Sequence, residues 1–307
     1  MAVYKRNYRP YDGAYTPLNT RFLVIPRFAW STLFQSRALL SFYFATFFPM
    51  LVAAAFIYLV NSPSTQALIS ANAGTADGMG RSLQSPSWLV VDGFFFEKYL
   101  VVQAFFCFLL TAWVGPGLIS VDFANDALPL FLSRPFTRAN YLLGKFTVIA
   151  GLLSTITWVP AMLLFLMQSS MGGWTWLSKN YWIAGAIMLG SLLWIVVLTM
   201  LVLAVSAWVR WKIAATALMV VIFFVVPGFG EAFNEVLRTH WGKLLNLSYL
   251  ISRIWNDLFR SPNVLKPGLP PRFTDVPVWS AWLVLAFVIM LSLWMLNKKL
   301  KAREVVR

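Results

Sequence analysis

The stretch "YWIAGAIMLGSLLWIVVLTMLVLAVSAW", residues 181–208, contains no charged side chain. A helix needs about 20 consecutive apolar residues to cross the hydrocarbon core of a bilayer. Residues 181–208 exceed that length, and a tilt or a projection beyond the bilayer accommodates the excess. The stretch therefore predicts a transmembrane helix. Its length is the reference against which the other apolar runs of the chain are compared.

Apolar runs of similar length recur along the whole chain. Of its 307 residues, 59% are hydrophobic and 12% are charged, whereas soluble domains have about 45–50% and about 25%. We therefore predict an all-α membrane protein with six transmembrane helices, at about 38–60, 99–119, 146–168, 181–208, 213–230 and 278–297. Residues 26–307 form a single transmembrane domain, and residues 1–25 form a cytoplasmic N-terminal tail.

Four prolines lie within these segments or at their ends: Pro49, Pro116, Pro160 and Pro227. A proline inside a helix lacks the N–H that would bond the preceding turn, so it kinks or ends the helix. We expect a kink or an end at each of the four. In particular, we expect the fifth span to end at Pro227-Gly228.

The distribution of Lys and Arg predicts the orientation of the helices. If the N-terminus is cytoplasmic, the inner segments hold 16 of the 25 basic residues and the outer segments hold 9. Cytoplasmic loops of membrane proteins are enriched in Lys and Arg, so both termini are expected inside. The outer segment 231–277 opposes this pattern, because it carries six basic residues.

Two segments outside the predicted spans have the spacing of amphipathic helices. In "PRFAWSTLFQSR", residues 26–37, Trp30, Leu33 and Phe34 share one helical face, which predicts an N-terminal helix lying in the membrane interface. Apolar residues also recur at helical spacing through 232–259. This second segment predicts an outer amphipathic helical segment before the last span, acting either as a cap on the bundle or as a gate.

Several kinds of chemistry are absent from the sequence. One Cys and one His, Cys107 and His240, exclude a disulfide framework and leave too few ligands for a Cys/His metal site. No G-x-x-x-x-G-K-[ST] motif is present to hold ATP. No ionisable residue falls inside the six segments, although proton-coupled carriers depend on such residues. We therefore expect a non-enzymatic chain that takes its energy from another protein.

The segment 120–145 lies between the second and third spans and is short, charged and proline-rich. Asp126 is a suitable N-cap for a short apolar helix, and Arg134-Pro135 would end that helix. Thr137 is placed to cap a second helix that runs through Tyr141 into the third span. The short helix is either an interfacial turn that holds two spans together or a docking helix for a cytoplasmic partner.

The stretch "ALPLFLSRPFTRANYLLGKF", residues 127–146, resembles the loop after the second span in the permease subunits of type-2 ABC exporters. The positions that fall on or near the family pattern are Ala127, Leu128, Phe131, Leu132, Pro135, Thr137, Arg138, Tyr141, Leu142, Gly144 and Lys145. Pro129 departs from the pattern, since the family often has Glu there. The six spans, the N-terminal helix and the long segment before the last span also resemble the family layout.

The resemblance implies a permease that couples to a separate cytoplasmic ABC ATPase subunit. That subunit alone would bind ATP and Mg²⁺, so no catalytic residue, metal or cofactor is expected in this chain. A second permease copy or a paralogue would complete a dimer among membrane lipids, and the compartment implied is the bacterial inner membrane. Docking to the ATPase would use Asp126, Leu128, Phe131, Leu132, Arg134, Pro135 and Arg138.

A second function of a different class fits the same sequence. The chain could be a structural anchor or accessory subunit of a larger membrane complex, in which tryptophan-rich spans form lateral interfaces. The net charge of +14 suits contact with anionic lipid in either case, and it does not by itself indicate a nucleic-acid partner.

Overall fold

The computed structural model describes residues 17–65, 67, 90–125, 137–239, 241–261 and 276–304. These residues form helices and contain no strand. The α-helices are α1 (Val24–Leu33), α2 (Arg37–Ala45), α3 (Phe48–Asn61), α4 (Gly93–Val114), α5 (Pro116–Ala124), α6 (Arg138–Ile156), α7 (Trp158–Asn180), α8 (Trp182–Trp208), α9 (Lys212–Val220), α10 (Val226–Leu237), α11 (Leu247–Leu258) and α12 (Val278–Glu304). Short 3₁₀ segments occupy Leu18–Leu23 and Trp241–Leu245, and a π-helix occupies Val221–Val225.

Within the described residues, six helical stretches are long and apolar enough to cross a membrane. They span Arg37–Asn61, Gly93–Ala124, Arg138–Asn180, Trp182–Trp208, Lys212–Leu237 and Val278–Lys301. The prediction of six spans in an all-helical chain is therefore confirmed by length and composition. Such a chain has the character of an integral membrane protein.

Helix α8 forms the centre of the bundle. The most apolar window of this helix is 67% buried, whereas the corresponding windows of the first and last spans are 22% buried. Helix α8 packs against α4, α5, α6, α7 and α12. A helix that is apolar on all sides suits a position surrounded by other helices, which is the position that residues 181–208 occupy.

Three of the four prolines lie where a span is interrupted. Pro116 begins α5 directly after the break at Gly115, and Pro49 and Pro160 lie in the first turns of α3 and α7. Proline lacks a donor, and at the first positions of a helix no donor is required. The expectation that these three prolines interrupt their helices is confirmed.

The expected end of the fifth span at Pro227-Gly228 is wrong. Pro227 lies in the first turn of α10, and the helix continues to Leu237. The π-helix Val221–Val225 precedes it directly, so Pro227 falls where a new helical segment begins and where its missing N–H costs little. Helix α10 ends instead at Arg238, which adopts a left-handed conformation with φ 50°.

Polar side chains supply hydrogen bonds at the breaks. Thr216 Oγ1 donates to Ala112 O at 3.1 Å, and Ala112 is the residue whose carbonyl Pro116 cannot bond. Ser206 Oγ donates to Pro116 O at 2.7 Å and accepts from Ser120 N at 3.0 Å. These bonds hold the start of α5 against α8, because buried backbone groups in a membrane protein must find partners within the protein.

Gln103 joins two separate breaks. Its side chain is fully buried, and its Nε2 lies 3.1 Å from Thr46 O and 2.6 Å from Ile156 O. Thr46 stands between α2 and α3, and Ile156 is the last residue of α6 before the non-helical Thr157. The side-chain amide of Gln103 therefore hydrogen-bonds to backbone carbonyls at the interruptions of both the first and the third span.

Candidate functional site at the base of the loop 126–136

An ion pair joins the two helices on either side of residues 126–136, and both of its side chains are largely shielded from solvent. Asp122 lies in the last turn of α5, and Lys145 lies two turns into α6. Lys145 Nζ is 2.7 Å from Asp122 Oδ2. The hydroxyl of Tyr141 donates to the same carboxylate oxygen at 2.7 Å. We call Asp122, Tyr141 and Lys145 the loop-base triad.

The local sequence places the triad. Thr137 Oγ1 accepts a hydrogen bond from Asn140 N at 3.2 Å, so Thr137 is the N-cap of α6, as predicted. Tyr141 and Lys145 are four residues apart and lie on one face of that helix. Lys145 Nζ is 5.5 Å from the centre of the Tyr141 ring, within the range of a cation–π contact.

Breaking the contacts of the triad should be costly for stability, because two of its three side chains are buried. Tyr141 is 1% exposed and Lys145 is 8% exposed. Lys145 Nζ also donates to Leu118 O at 2.7 Å, so its charge meets a carboxylate and a carbonyl. An ion pair is retained at such a site when its geometry and its extra hydrogen bonds compensate the loss of hydration. The helix dipole disfavours the Asp122 carboxylate in the last turn of α5, and the positive charge of Lys145 offsets this cost.

Helix α5 is consequently held at both of its ends. Ser206 of α8 binds the backbone at its start, and the loop-base triad binds its last turn to α6. The three side chains form a direct polar contact between α5 and α6.

Helix α1 packs on the same helix, α6. Trp30 Nε1 donates to Val148 O at 3.0 Å. Glycines of α6 make room for α1: a Cβ at Gly151 would collide with the Trp30 ring, and one at Gly144 would lie 2.8 Å from Ile25 Cδ1. Trp30, Leu33 and Phe34, predicted to share a face, all pack against the buried core. That face therefore contacts the protein.

We expect the change Gly151→Val to release α1 from α6. A valine side chain cannot fit where the Trp30 ring already contacts the glycine. Valine has a higher helix propensity than glycine, so α6 itself should still form. A cysteine pair bridging α1 and α6 should cross-link several-fold less efficiently in the variant. Gly185→Val is the matched control, because a Cβ there meets no atom within 4 Å. Equal cross-linking in the two variants would contradict the packing described here.

Of the seven predicted docking residues, only Arg138 lies among the residues that the structure describes. Asp126, Leu128, Phe131, Leu132, Arg134 and Pro135 lie outside the described residues. Arg138 is the first residue of α6 and is half-buried. The triad thus marks the position where the predicted docking segment leaves and rejoins the bundle.

Sequence reasoning missed two of the charged residues in this bundle. Asp122 received no role, because an isolated carboxylate beside an apolar run resembles an ordinary helix end. The predicted second span, at about 99–119, leaves Glu97 outside the membrane helix, but Glu97 lies in α4 and is 1% exposed. Its Oε1 is 2.9 Å from Lys98 Nζ. The expectation of spans without ionisable residues is wrong, because Glu97, Asp122 and Lys145 lie in the helices of the second and third candidate spans.

No metal site is evident in the part of the chain that the structure describes. No three His, Cys, Asp or Glu side chains are grouped there so as to hold an ion. Cys107 is buried in α4, as expected for a cysteine that serves packing.

The described residues thus form a helical bundle with six stretches long and apolar enough to cross a membrane, and the Asp122–Lys145 ion pair joins α5 to α6. No protein-family model matches the chain, and no curated protein matches it at a significant level.

Proposed function

We propose that this chain is the membrane-spanning permease subunit of an ATP-driven exporter of the type-2 ABC class. Both termini lie in the cytoplasm, and the loop 126–136 docks into a separate cytoplasmic ATPase subunit. A second permease, identical or paralogous, completes the dimer in the bacterial inner membrane. In this arrangement α1 lies on the cytoplasmic side, and α11 lies at the outer side of the bundle.

The observation that carries the proposal is the loop-base triad. A docking loop can transmit work only if its ends are fixed to the elements that must move. The 2.7 Å contacts of Asp122 with Lys145 and Tyr141 fix the end of α5 to the start of α6. A purely interfacial turn would need no buried ion pair, because polar side chains at a membrane surface are already hydrated.

The mechanism follows from the positions of the breaks. Closure of the ATPase subunits on ATP pushes the loop 126–136, and the triad passes the displacement to α5 and α6. The second span can bend at Gly115, and the third span can bend at Thr157, where α6 and α7 meet. Bending at these positions changes the access of the bundle from one side of the membrane to the other. Breaks of this kind are where helices most readily change direction.

The first test is the purification of the tagged chain in mild detergent from its native host, followed by an ATPase assay of the eluate. We expect a stoichiometric nucleotide-binding subunit with vanadate-sensitive turnover. An inactive eluate that contains only other membrane subunits would overturn the proposal and favour the structural anchor instead.

Charge changes in the docking segment should separate ATP hydrolysis from the permease. We expect Phe131→Asp and Arg138→Glu each to abolish most of the permease-dependent stimulation of the ATPase, while the chain still purifies as a folded species. The reason is that a docking helix depends on apolar burial and on charge complementarity with its groove. Permease-stimulated ATPase turnover in proteoliposomes measures the effect.

Arg210→Glu is the matched control for these two variants. Arg210 is exposed in the turn 209–211 between α8 and α9, on the same proposed side of the membrane. The Arg210→Glu variant reverses a charge outside the docking segment, so the permease-dependent stimulation of the ATPase should persist. Full stimulation in Phe131→Asp and Arg138→Glu would show that the segment 126–138 is not the docking element.

One observation favours the anchor as the second candidate. Helix α10 exposes Phe229, Phe233 and Val236, although it has a polar face elsewhere. If the chain is an anchor, a lateral partner in a membrane complex covers this surface in place of lipid. Cross-links from residues 232–259 to a membrane protein other than an ATPase-associated permease would support this alternative.

A further inference from the structure

The bundle is strongly basic where α8 and α12 approach their C-terminal ends. The segments 208–213 and 294–301, "WVRWKI" and "WMLNKKLK", contain no acidic residue. Their five basic residues, which we call the basic patch, are Arg210, Lys212, Lys298, Lys299 and Lys301. Four of them are exposed and Lys299 is half-buried. None is in an ion pair within the described residues. Like charges held close together repel one another, so an anionic partner is favoured there.

Direct contacts bring the two segments of the patch together. Trp208 is the last residue of α8, and its Nε1 donates to Met295 O of α12 at 3.3 Å. Lys299 Nζ lies 5.0 Å from the centre of the Trp208 indole. Arg210 follows Trp208 by two residues, so their Cα atoms are at most about 8 Å apart. The positive charges of both segments therefore meet around one indole.

Three tryptophans place the patch at the membrane–water interface. Trp208, Trp211 and Trp294 are 43%, 79% and 58% exposed. They lie at or near the ends of candidate membrane spans. Exposed indoles are enriched at the level of the lipid headgroups, where one edge of the ring is polar and the rest is apolar. The neighbouring lysines and arginine are thus expected at the depth of the lipid phosphates.

One face of α12 changes from apolar to cationic along its length. Phe287, Met290, Trp294, Lys298 and Lys301 follow one another at spacings of three or four residues, so they lie on the same side of the helix. The first three are 59%, 62% and 58% exposed, and the two lysines are exposed as well. The order along this face is apolar, aromatic and cationic. A phospholipid has the matching order of acyl chain, glycerol ester and phosphate.

Two of the ammonium groups are already held in position. Lys298 Nζ lies 5.0 Å from the centre of the Trp294 ring, as Lys299 Nζ does from that of Trp208. A cation–π contact restricts a long side chain, while the exposed ammonium can still donate to a second group. Restricted side chains lose less conformational entropy when a ligand binds.

We propose that the basic patch is a binding site for one anionic phospholipid of the surrounding membrane. Its phosphate binds Lys298, Lys299 and Arg210, and an acyl chain lies along Phe287 and Met290. The apolar stretch that continues from the lysines favours a lipid over a soluble phosphate, which would leave that stretch unused. The site goes beyond the proposed function, since lipid binding requires neither an ATPase nor a docking loop.

Native mass spectrometry of the full chain in detergent tests the site by titration with three probes. Dioleoyl phosphatidylglycerol is anionic, dioleoyl phosphatidylcholine has the same chains without a net charge, and sn-glycerol 3-phosphate has a phosphate without chains. The test variant is Lys298→Gln/Lys299→Gln, and Lys298→Arg/Lys299→Arg keeps the charge. Arg27→Gln/Arg37→Gln is the matched control, because it removes two exposed positive charges elsewhere in the chain.

We expect the native chain to bind phosphatidylglycerol more tightly than either of the other probes. The Kd for phosphatidylglycerol should rise about 10- to 30-fold in Lys298→Gln/Lys299→Gln, because each basic residue near a lipid surface contributes roughly fivefold in affinity. The arginine pair should stay within about threefold of the native chain, and the matched control within about twofold. Binding of phosphatidylcholine should not change in any variant.

Three results would overturn the proposal. Equal weakening in Arg27→Gln/Arg37→Gln would show diffuse attraction by the net charge. Equal affinity for phosphatidylcholine would show that the charge is not recognised, and equal affinity for sn-glycerol 3-phosphate would assign the patch to a soluble phosphate. If Lys298→Gln/Lys299→Gln does not purify, Arg210→Gln/Lys301→Gln replaces it with the same expected loss. Since no ATPase is present, failure here would leave the proposed function untouched.

Discussion

Asp122→Ala is expected to lower the free energy of unfolding by about 3–5 kcal/mol, the range for removing one partner of a buried ion pair. The variant leaves the ammonium of Lys145 buried without its carboxylate partner, and its contacts with Leu118 O and with the Tyr141 ring carry no compensating negative charge. The loss should appear as a lower midpoint in denaturant titrations of the purified chain. Tyr141→Phe should cost less, about 1.5–3 kcal/mol, because it removes one hydrogen bond to a charged acceptor.

The double variant Asp122→Leu/Lys145→Met separates stability from coupling. Replacing both charges with apolar groups of similar size is often neutral for stability, so its midpoint should return close to that of the native chain. Permease-dependent ATPase stimulation should nevertheless be lower than with the native chain, because the double variant lacks the polar contacts that fix α5 to α6. Lys179→Met, at an exposed lysine in the last turn of α7, controls for the loss of a positive charge. An Asp122→Ala midpoint no lower than that of Lys179→Met would contradict the importance of the triad.

Gln103→Met should also have a large effect. The thioether fills a similar volume but cannot donate, so Thr46 O and Ile156 O lose a donor in the centre of the bundle. Each buried carbonyl left without a partner costs about 1–3 kcal/mol, and water is scarce there to replace the bond. Thermal unfolding in detergent, followed by fluorescence, measures the change.

Gln168→Met is the matched control for Gln103→Met. Gln168 is also buried, and its Oε1 accepts from Asn61 Nδ2 at 2.8 Å. Asn61 Nδ2 retains a second acceptor, Ile57 O, after the substitution, so the cost should be about 0.5–1.5 kcal/mol. If both variants unfold at the same temperature, Gln103 does not hold the two breaks as described.

The number of spans could be predicted because a long apolar run has few alternatives to a membrane helix. Their ends could not be predicted as well, since hydropathy falls at the first charged residue whether or not the helix ends there. Glu97 and Lys145 lie inside helices, and each has an ion-pair partner: Lys98 for Glu97, and Asp122 for Lys145. Hydropathy does not reveal such pairing, so the apolar runs end before the helices do.

The candidate site was predicted in part for a related reason. Local patterns identified Thr137 as the cap of α6 and placed Tyr141 and Lys145 in the family-like segment. Asp122 was missed because its role depends on a contact across the loop, which sequence spacing does not reveal. The same applies to Gln103, whose two carbonyl partners are 57 and 53 residues away in the chain.

The packing of α1 on α6 has a consequence for the order of events during synthesis. Trp30 and Val148 are 118 residues apart, a distance that a ribosome covers in roughly 6–24 s at about 5–20 residues per second. Throughout that interval Ile25 and Trp30 are present in the nascent chain, but the helix on which they pack, α6, has not yet been synthesised. A membrane insertase or chaperone therefore has a defined window in which to shield these side chains. Slow codons between positions 37 and 144 should lengthen the delay between the synthesis of α1 and that of α6. A longer delay should increase the misfolded fraction of the newly synthesised protein.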